Sequence, residues 1–220
     1  MATATATVTK AIRDVTLADL LRRLGGISPS RVRMNPLPGR ATEKDVLAIH
    51  AREGRLFELV DGVLVEKAMG FLESRVGMIL GTLLEMYAKQ HNLGIVVGSD
   101  GMMRLLPGKI RMPDVAFLSW AHFPDRVLPS EPVPELAPDL AVEVLSKGNT
   151  RAEIALKLRE YFQSGVRLVW IIDPRKRIAR VHTAPKQWTT ITEEEALGGG
   201  EILPGFQVTL RELFAELPAR

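Results

Sequence analysis

The 220-residue chain contains no cysteine, which excludes disulfide bonds and thiolate metal sites. It also has no apolar run near the about 20 residues that a membrane-spanning helix needs. Residues 1–15 are rich in alanine and threonine and lack the apolar core of a secretory signal peptide. The sequence therefore predicts a cytoplasmic protein that has no membrane partner.

Several catalytic motifs are missing as well. The sequence contains no Walker-type phosphate loop and no G-x-G-x-x-G after a strand. It therefore lacks the phosphate-binding motif that a nucleotide-binding α/β enzyme would need. There is no G-x-S-x-G turn, and the 4 histidines are scattered without an H-E-x-x-H pair. These absences argue against serine or histidine catalysis, and we expect no small-molecule cofactor.

The composition is typical of a soluble globular protein, with 46% hydrophobic and 25% charged residues. A net charge of +3 permits nucleic-acid binding but does not demonstrate it. The length suits one large domain with an extension. We divide the chain into an N-terminal arm at 1–41 and one domain at 42–220. The arm has a poorly ordered start, a short helix over 16–24 and a proline-rich connector.

Residues 138–174 predict a strand, a helix and a second strand. The apolar runs at 140–145 and 168–172 are typical of strands that are covered on both faces. Thr150 and Glu153 form a T-x-x-E capping box that begins the helix, and Gly165 is placed to end it. The two strands are therefore expected to be parallel, with a right-handed crossover.

The rest of the domain predicts a mixture of helices and strands, and therefore an α/β (α+β) fold. Asp61-Gly62 between two apolar runs indicates a hairpin, and 111–120 indicates one continuous central strand. Gly198–Gly200 is predicted as a loop. Further helices are expected at 42–53, 71–91 and 210–217, and further strands at 95–98, 102–106, 177–183 and 188–192.

Glu143 lies at the centre of an apolar strand, where a carboxylate is costly unless it is paired. Lys157 lies on the shoulder of the helix face that packs on the sheet, so its ammonium can point towards Glu143. A purely structural ion pair explains this arrangement as well as a functional one does.

Asp114 supplies a second acid near the start of another apolar strand. Two carboxylates that are brought together repel each other unless a cation bridges them. Mg²⁺ accepts one or two protein carboxylates and completes its coordination with water and substrate phosphate. Together with the nearby Lys157, Asp114 and Glu143 favour metal-dependent phosphodiester hydrolysis over the other chemistries.

At this point the sequence resembles a bacterial family, the "Uma two" family of restriction-endonuclease-like proteins in the PD-(D/E)XK nuclease superfamily. The resemblance covers roughly residues 42–215, and its motifs are specific jointly but weak singly. They are FELVDG at 57–62, MPDV at 112–115, PDL at 138–140, VEVLS at 142–146, the helix segment at 157–161, Gly165-Val166, Trp170, Asp173-Pro174 and LPGF at 203–206.

The resemblance implies a restriction-endonuclease-like fold, with a mixed central sheet flanked by helices. It implies DNA as the substrate and Mg²⁺ as the cofactor, with Mn²⁺ as a substitute, and it assigns Asp114 and Glu143 as the acids that bind the metal. The superfamily lysine is expected two residues after the second acid, but Leu145 stands there. In this family the lysine is thought to lie on the following helix, and Lys157 matches that placement.

The choice of the site lysine and the role of Glu58 each have an alternative. Lys147 lies on the same strand face as Glu143, but it stands beside Gly148-Asn149, where solvent exposure is expected. Glu58 would add a catalytic acid from the hairpin, or it would form a salt bridge to a nearby arginine.

Two hypotheses about function follow. The first is a Mg²⁺-dependent DNA endonuclease with Asp114, Glu143, Lys157 and Glu58 in its site. The second is a nuclease-like domain with little catalysis that binds nucleic acid or a protein, because a fold alone does not fix an activity. A homodimer would suit the cutting of two strands, although no self-complementary surface can be read from the sequence.

Overall fold

The computed structural model describes residues 16–215 and 217. The predicted poor order of 1–15 concerns residues outside this range. Within it, three sheets and five helices form a mixed α+β architecture. The helices are α1 (Leu17–Arg23), α2 (Glu43–Glu53), α3 (Phe71–Gln90), α4 (Arg151–Gln163) and α5 (Leu210–Leu213), with 3₁₀ turns at Pro29–Arg31, Trp120–His122 and Pro124–Arg126.

The central sheet has six strands in the order β11-β10-β9-β8-β7-β4, and all neighbours are antiparallel except β8 and β9. The parallel pair and the helix that connects it confirm the predicted strand-helix-strand unit. The strands are β4 (Gly94–Val97), β7 (Val115–Ser119), β8 (Leu140–Val144), β9 (Leu168–Asp173), β10 (Ile178–Ala184) and β11 (Gln187–Ile191).

Helices cover both faces of this sheet. α3 presents Val76, Leu80, Leu84 and Ala88 at helical spacing, and these side chains pack on one face. α4 packs on the other face through Ile154, Leu158 and Tyr161, and its capping box at Thr150 is present as predicted. The mixed sheet with flanking helices confirms the predicted fold class.

A second sheet packs on the α4 side of the first. Its five strands follow the order β1-β3-β2-β6-β5 and are β1 (Val32–Arg33), β2 (Phe57–Val60), β3 (Val63–Glu66), β5 (Met103–Leu106) and β6 (Lys109–Arg111). β2 and β3 form the predicted hairpin, in which Asp61 and Gly62 have positive φ angles of 49° and 76°. Met103 and Leu105 join the apolar cluster beneath α4.

The single strand predicted over 111–120 is wrong. Pro113 separates β6, which belongs to the second sheet, from β7, which belongs to the first. Proline has no backbone N–H to donate, so a break in the ladder at this position has a simple cause. The chain therefore passes between the sheets immediately before Asp114.

The C-terminal region also differs from the prediction. The glycines predicted as a loop lie largely in β12 (Ala196–Gly199), which pairs with β13 (Leu203–Thr209) in a separate two-stranded sheet. β13 runs through the proline and glycine at 204 and 205, which a strand at the edge of this small sheet tolerates. Leu210 to Leu213 then forms α5, and part of the predicted extension of this helix to 217 lies outside the described residues.

The arm packs against the domain. Thr16 caps α1, and Gly25, with φ +85°, lies so close to α4 that a Cβ atom there would come within 2.4 Å of the backbone nitrogen of Glu153. The guanidinium of Arg31 donates to both carboxylate oxygens of Glu153, at 3.0 and 2.8 Å. Val32 pairs with Val65, so the connector adds a strand to the second sheet.

Among the helices that the structure describes, none combines the length and the apolar character needed to cross a membrane.

Candidate active site

Asp114 and Glu143 lie opposite each other at one end of the β7–β8 pair. Val115 pairs with Val142, so one further step along the antiparallel ladder brings position 114 opposite position 143. The backbone N–H of Asp114 donates to the carbonyl of Val142 at 2.8 Å, and the N–H of Val144 donates to Asp114 Oδ2 at 2.7 Å. Opposed residues of a ladder project on the same face, so the two acids lie on the side covered by α4.

Glu143 is held by two side chains of α4. Lys157 Nζ donates to both carboxylate oxygens, at 3.0 and 2.9 Å. The hydroxyl of Tyr161, one helical turn further on, donates to Oε1 at 2.5 Å. All three side chains are buried. The carboxylate is therefore fixed in one orientation by the helix that follows its own strand.

Glu58 reaches the same cluster from the second sheet. Its Oε1 lies 3.1 Å from Lys157 Nζ, and its Oε2 accepts from Arg111 Nη1 at 2.6 Å. Arg111 also binds Glu160 of α4, with Nε donating to Oε2 at 2.7 Å. Glu58 thus forms the arginine salt bridge that was the alternative to a site role, and it contacts Lys157 as well.

Lys67 binds Asp114 and was not predicted. Its Nζ lies 2.9 Å from Asp114 Oδ1 and donates to the carbonyls of Met112 and Ser99, at 2.6 and 2.9 Å. The N–H of Lys67 donates to the carbonyl of Leu56, which continues the β2–β3 hairpin by one step. An alternation signal was present, because Lys67 follows Val63 and Val65 on one face of that hairpin.

The charges of the cluster perturb one another strongly. Burial alone would raise the pKa of Glu58, but the cations of Lys157 and Arg111 lower it to about 2. Burial raises the pKa of Glu143, and the carboxylates of Asp114 and Glu58 add to that effect against the opposing pull of Lys157. Burial would lower the pKa of Lys157, but Glu143 and Glu58 together raise it above its ordinary value. Its ammonium is therefore charged at neutral pH.

The structure brings all four predicted site residues into one cluster. Asp114 and Glu143 meet on the ladder, and Lys157 bridges Glu143 and Glu58. Lys147, the rival lysine, is exposed. The residues that the sequence reasoning missed are Lys67, Arg111 and Glu160, and Tyr161 was read only as an apolar packing residue. Their contacts link the hairpin to Asp114, β6 to β2 and to α4, and α4 to β8, and no local pattern reports such contacts.

The donor set fits a divalent cation of the magnesium type. Asp114 and Glu143 offer only carboxylate oxygens, which are the ligands that Mg²⁺ prefers. Burial is the main reason that the pKa of Glu143 is raised, and a cation would relieve the repulsion between carboxylates that adds to it. Both oxygens of Asp114 and Oε2 of Glu143 each accept one of the bonds described above and keep lone-pair capacity, whereas Oε1 of Glu143 already accepts two. Among the described residues, no group of three or more His, Cys, Asp or Glu side chains is arranged to hold a metal ion. Water and substrate would therefore complete the coordination.

A groove of about 360 Å³ adjoins Asp114. It runs between α3 and β4 and is lined on the helix side by Glu73, Gly77 and Gly81. The side chain of Asp114 is 10% exposed, whereas those of Glu143 and Lys157 are 5% and 4% exposed. The cluster is therefore nearest to solvent at Asp114.

Comparison with known proteins identified a family and similar solved structures. The model of a family described as "Uma2: Putative restriction endonuclease" matches residues 43–211. The crystal structure of "a putative nuclease belonging to DUF820 from Anabaena variabilis ATCC 29413" superposes with a TM-score of 0.65 at 14% identity, covering 73% of this chain and 90% of that one. At this identity the likeness shows the fold alone. No curated protein matches the sequence.

Proposed function

The chain belongs to the Uma2 family described as restriction endonucleases, and from this premise we propose that it is a metal-dependent DNA endonuclease that hydrolyses phosphodiester bonds. The observation that carries the proposal is the pair of acids opposed on the β7–β8 ladder, with the ammonium of Lys157 on one of them. Nucleases of the restriction-endonuclease type generally use divalent metal ions, and two opposed carboxylates provide the expected ligands.

Asp114 and Glu143 would hold the ion, which we propose to be Mg²⁺, with Mn²⁺ as a substitute. When bound, a divalent ion supplies a bound water of lowered pKa and positive charge close to the scissile phosphate. A backbone bond between Asp114 and Val142 holds the two residues in register, and the N–H of Val144 fixes the Asp114 carboxylate, so the spacing of the acids does not depend on flexible side chains alone.

Lys157 contributes a fixed positive charge. Its raised pKa keeps the ammonium protonated at neutral pH, so it does not act as the base that takes a proton from water. Instead it orients Glu143 and helps to neutralise negative charge that develops on the phosphate. Glu58, which is itself held by Arg111, contacts this ammonium from the side of the second sheet.

Lys67 plays the equivalent positioning part for Asp114. Three acceptors fix its ammonium, two of which are backbone carbonyls, so the lysine is a rigid anchor for Oδ1. The N–H of Val144 fixes Oδ2 from the other side. We propose that this clamp sets the direction in which Asp114 offers its remaining lone pairs.

Plasmid nicking tests the proposal. The purified protein is expected to convert supercoiled plasmid to open circles with Mg²⁺ or Mn²⁺ but not with EDTA. Asp114→Ala and Glu143→Ala should each stop nicking, whereas Glu201→Ala, which removes an exposed acid from a turn, should nick like the wild type. A wild type that is silent with every metal, on duplex DNA, single strands and RNA, contradicts the proposal.

A binding module with little catalysis is the second candidate. It is favoured by the burial of Glu143 and Lys157 and by the bonds that already engage both oxygens of Asp114. In that case DNA or protein binding would survive both alanine substitutions, and no metal would give nicking. For DNA, binding that falls with rising salt would identify contacts to the phosphate backbone.

A homodimer belongs to the endonuclease proposal, because two copies would cut both strands of a duplex. Sedimentation of the purified protein, alone and with a DNA duplex, tests this point. A monomer in both conditions, combined with nicking but no double-strand cutting, would limit the enzyme to single-strand breaks.

A further inference from the structure

A second and larger concavity, of about 700 Å³, lies on the sheet face that α4 covers. One wall is α4, with Arg151, Ile154 and Leu158. The other is the β9–β10–β11 end of the central sheet, where Arg180 pairs with Ile171 and Trp188 pairs with His182. α4 does not reach the edge strand β11, so the face of these last strands stays open. We call this concavity the basic groove.

The cations of the basic groove outnumber its acids. Arg151, Arg175, Lys176 and Arg180 line it, whereas Asp173 is the only acid among the described residues that line it. Lys176 Nζ lies 3.7 Å from Asp173 Oδ2, and Arg175 Nη1 lies 3.7 Å from Glu73 Oε1, so two of the four cations have acidic partners. Among the residues described, neither Arg151 nor Arg180 forms an ion pair with an acid. The groove therefore offers uncompensated positive charge to an anionic ligand.

An aromatic side chain lies at the outer edge of the same groove. Trp188 is 54% exposed, and its ring centroid lies 5.5 Å from that of His182. His182 is only 4% exposed and lines the groove, yet its Nδ1 has no hydrogen-bond partner among the described residues. A buried polar atom without a partner is costly, and a ligand that bonds to it would remove that cost.

The basic groove begins next to the candidate active site. Leu145 lines it and follows Glu143 by two residues on the same strand face. Two residues of a strand span about 6.6 Å. A chain-like ligand that occupies the groove would therefore have one end close to the acids.

We propose that the basic groove binds a segment of single-stranded DNA, with a base stacked on Trp188 and its backbone phosphates near Arg151 and Arg180. This inference rests on the proposed function, since it assigns the path by which a substrate strand approaches Glu143. Cationic grooves with an exposed aromatic residue are the usual means of binding single strands, because every base has a face that can stack.

The exposed tryptophan favours a single strand over a duplex. A duplex keeps the faces of its internal bases stacked on one another and presents mainly phosphates and base edges to a protein. Positive charge would serve both forms of DNA, but Trp188 can stack only on a base that has left its neighbours. The groove should therefore discriminate between the two.

The inference is tested by fluorescence anisotropy with a labelled oligo-dT of twelve nucleotides. EDTA is present so that cleavage does not interfere. Trp188→Ala should weaken binding about tenfold or more. Arg151→Gln and Arg180→Gln should weaken it several-fold, and each should reduce the salt slope by about 0.7. The matched control is Arg159→Gln, which removes a charge from an exposed position of the same helix outside the groove and should change affinity less than twofold.

The outcomes separate this inference from the proposed function. Weaker oligo-dT binding by the Trp188 and Arg180 variants supports the groove even if the wild type cuts nothing. Unchanged oligo-dT binding by both variants overturns the proposal that the basic groove binds single-stranded DNA. This holds even if the wild type nicks plasmid in a metal-dependent way. Equal affinity for oligo-dT and for a duplex of the same length also overturns it. Melting curves like that of the wild type show that the variants are folded.

Discussion

Asp114 lies directly opposite Glu143, although β7 itself begins one residue after Asp114. The backbone bond from the N–H of Asp114 to the carbonyl of Val142 makes this opposition a property of the backbone, and the N–H of Val144 adds a bond to the Asp114 carboxylate. Substitution of one acid should therefore leave the other in place. Activity lost in a single variant can then be assigned to the missing carboxylate, provided that the melting temperature is unchanged.

We expect Lys157→Met to destabilise the protein by about 3–5 kcal/mol, because it leaves buried carboxylates without their shared ammonium. Adding Glu143→Gln should restore at least about 1 kcal/mol, since one of those carboxylates becomes neutral. Urea unfolding measures both, and the control Lys147→Met, at an exposed position, should cost less than about 0.5 kcal/mol. A cost below about 1 kcal/mol for Lys157→Met would contradict the buried pairing.

We expect Lys67→Met to slow nicking about tenfold or more at saturating Mg²⁺, because Asp114 would lose the bond that fixes Oδ1. Lys147→Met serves as the control and should nick at the wild-type rate. Initial rates on supercoiled plasmid give the comparison. Equal rates for the Lys67 variant and the wild type would show that the clamp on Asp114 has no part in catalysis.

The lowered pKa of Glu58 predicts a loss of stability in acid. Its folded-state pKa of about 2 lies below the ordinary value of 4.5, so its contribution is present above pH 4.5 and is lost as the pH falls through about 2. Between neutral pH and pH 3 the loss is about 2 kcal/mol. The Glu58→Gln variant has no carboxylate to titrate at this position. Between neutral pH and pH 3, its unfolding free energy should therefore fall by about 2 kcal/mol less than that of the wild type. Parallel pH profiles for the two proteins would count against this assignment.

Two neighbouring glycines test the docking of the N-terminal arm. A methyl group at Gly25 would meet the backbone of α4, whereas one at Gly26 would meet no atom within 4 Å, and both residues have positive φ. Gly26→Ala should cost about 1 kcal/mol from backbone strain. Gly25→Ala should cost at least about 2 kcal/mol more, or release the arm, which limited proteolysis would detect. Equal costs would mean that the arm does not pack on α4.

Much of the fold followed from local patterns. The capping box of α4, the Asp61-Gly62 turn and the apolar runs of β8 and β9 each report on neighbours within a few residues, and these elements were predicted correctly. The division of 111–120 between two sheets was missed, because the strands on either side of Pro113 look continuous in hydropathy. Which sheet a strand joins depends on long-range pairing, and one sequence does not contain that information.

The same limit of local sequence patterns applies to the candidate site. Asp114, Glu143 and Lys157 could be proposed because a charged residue in an apolar strand or on a packed helix face stands out. Arg111 could not, since it stands at the end of a short strand and resembles an ordinary surface cation until Glu58 and Glu160 are placed around it. These salt bridges join residues that are 53 and 49 positions apart in the chain, and they leave no trace in the spacing of either partner.

The cluster takes Glu58 and Lys67 from the hairpin of the second sheet, Glu143 from the first sheet and Lys157 from α4. These parts leave the ribosome at different times, and the lysine of α4 follows the hairpin by about ninety residues. On the proposed function, a nascent or truncated chain would hold the acids and cations apart and could not cut. On that proposal, DNA cleavage would begin only once synthesis has passed α4 and both sheets have docked, so the architecture would keep unfinished copies from cutting DNA.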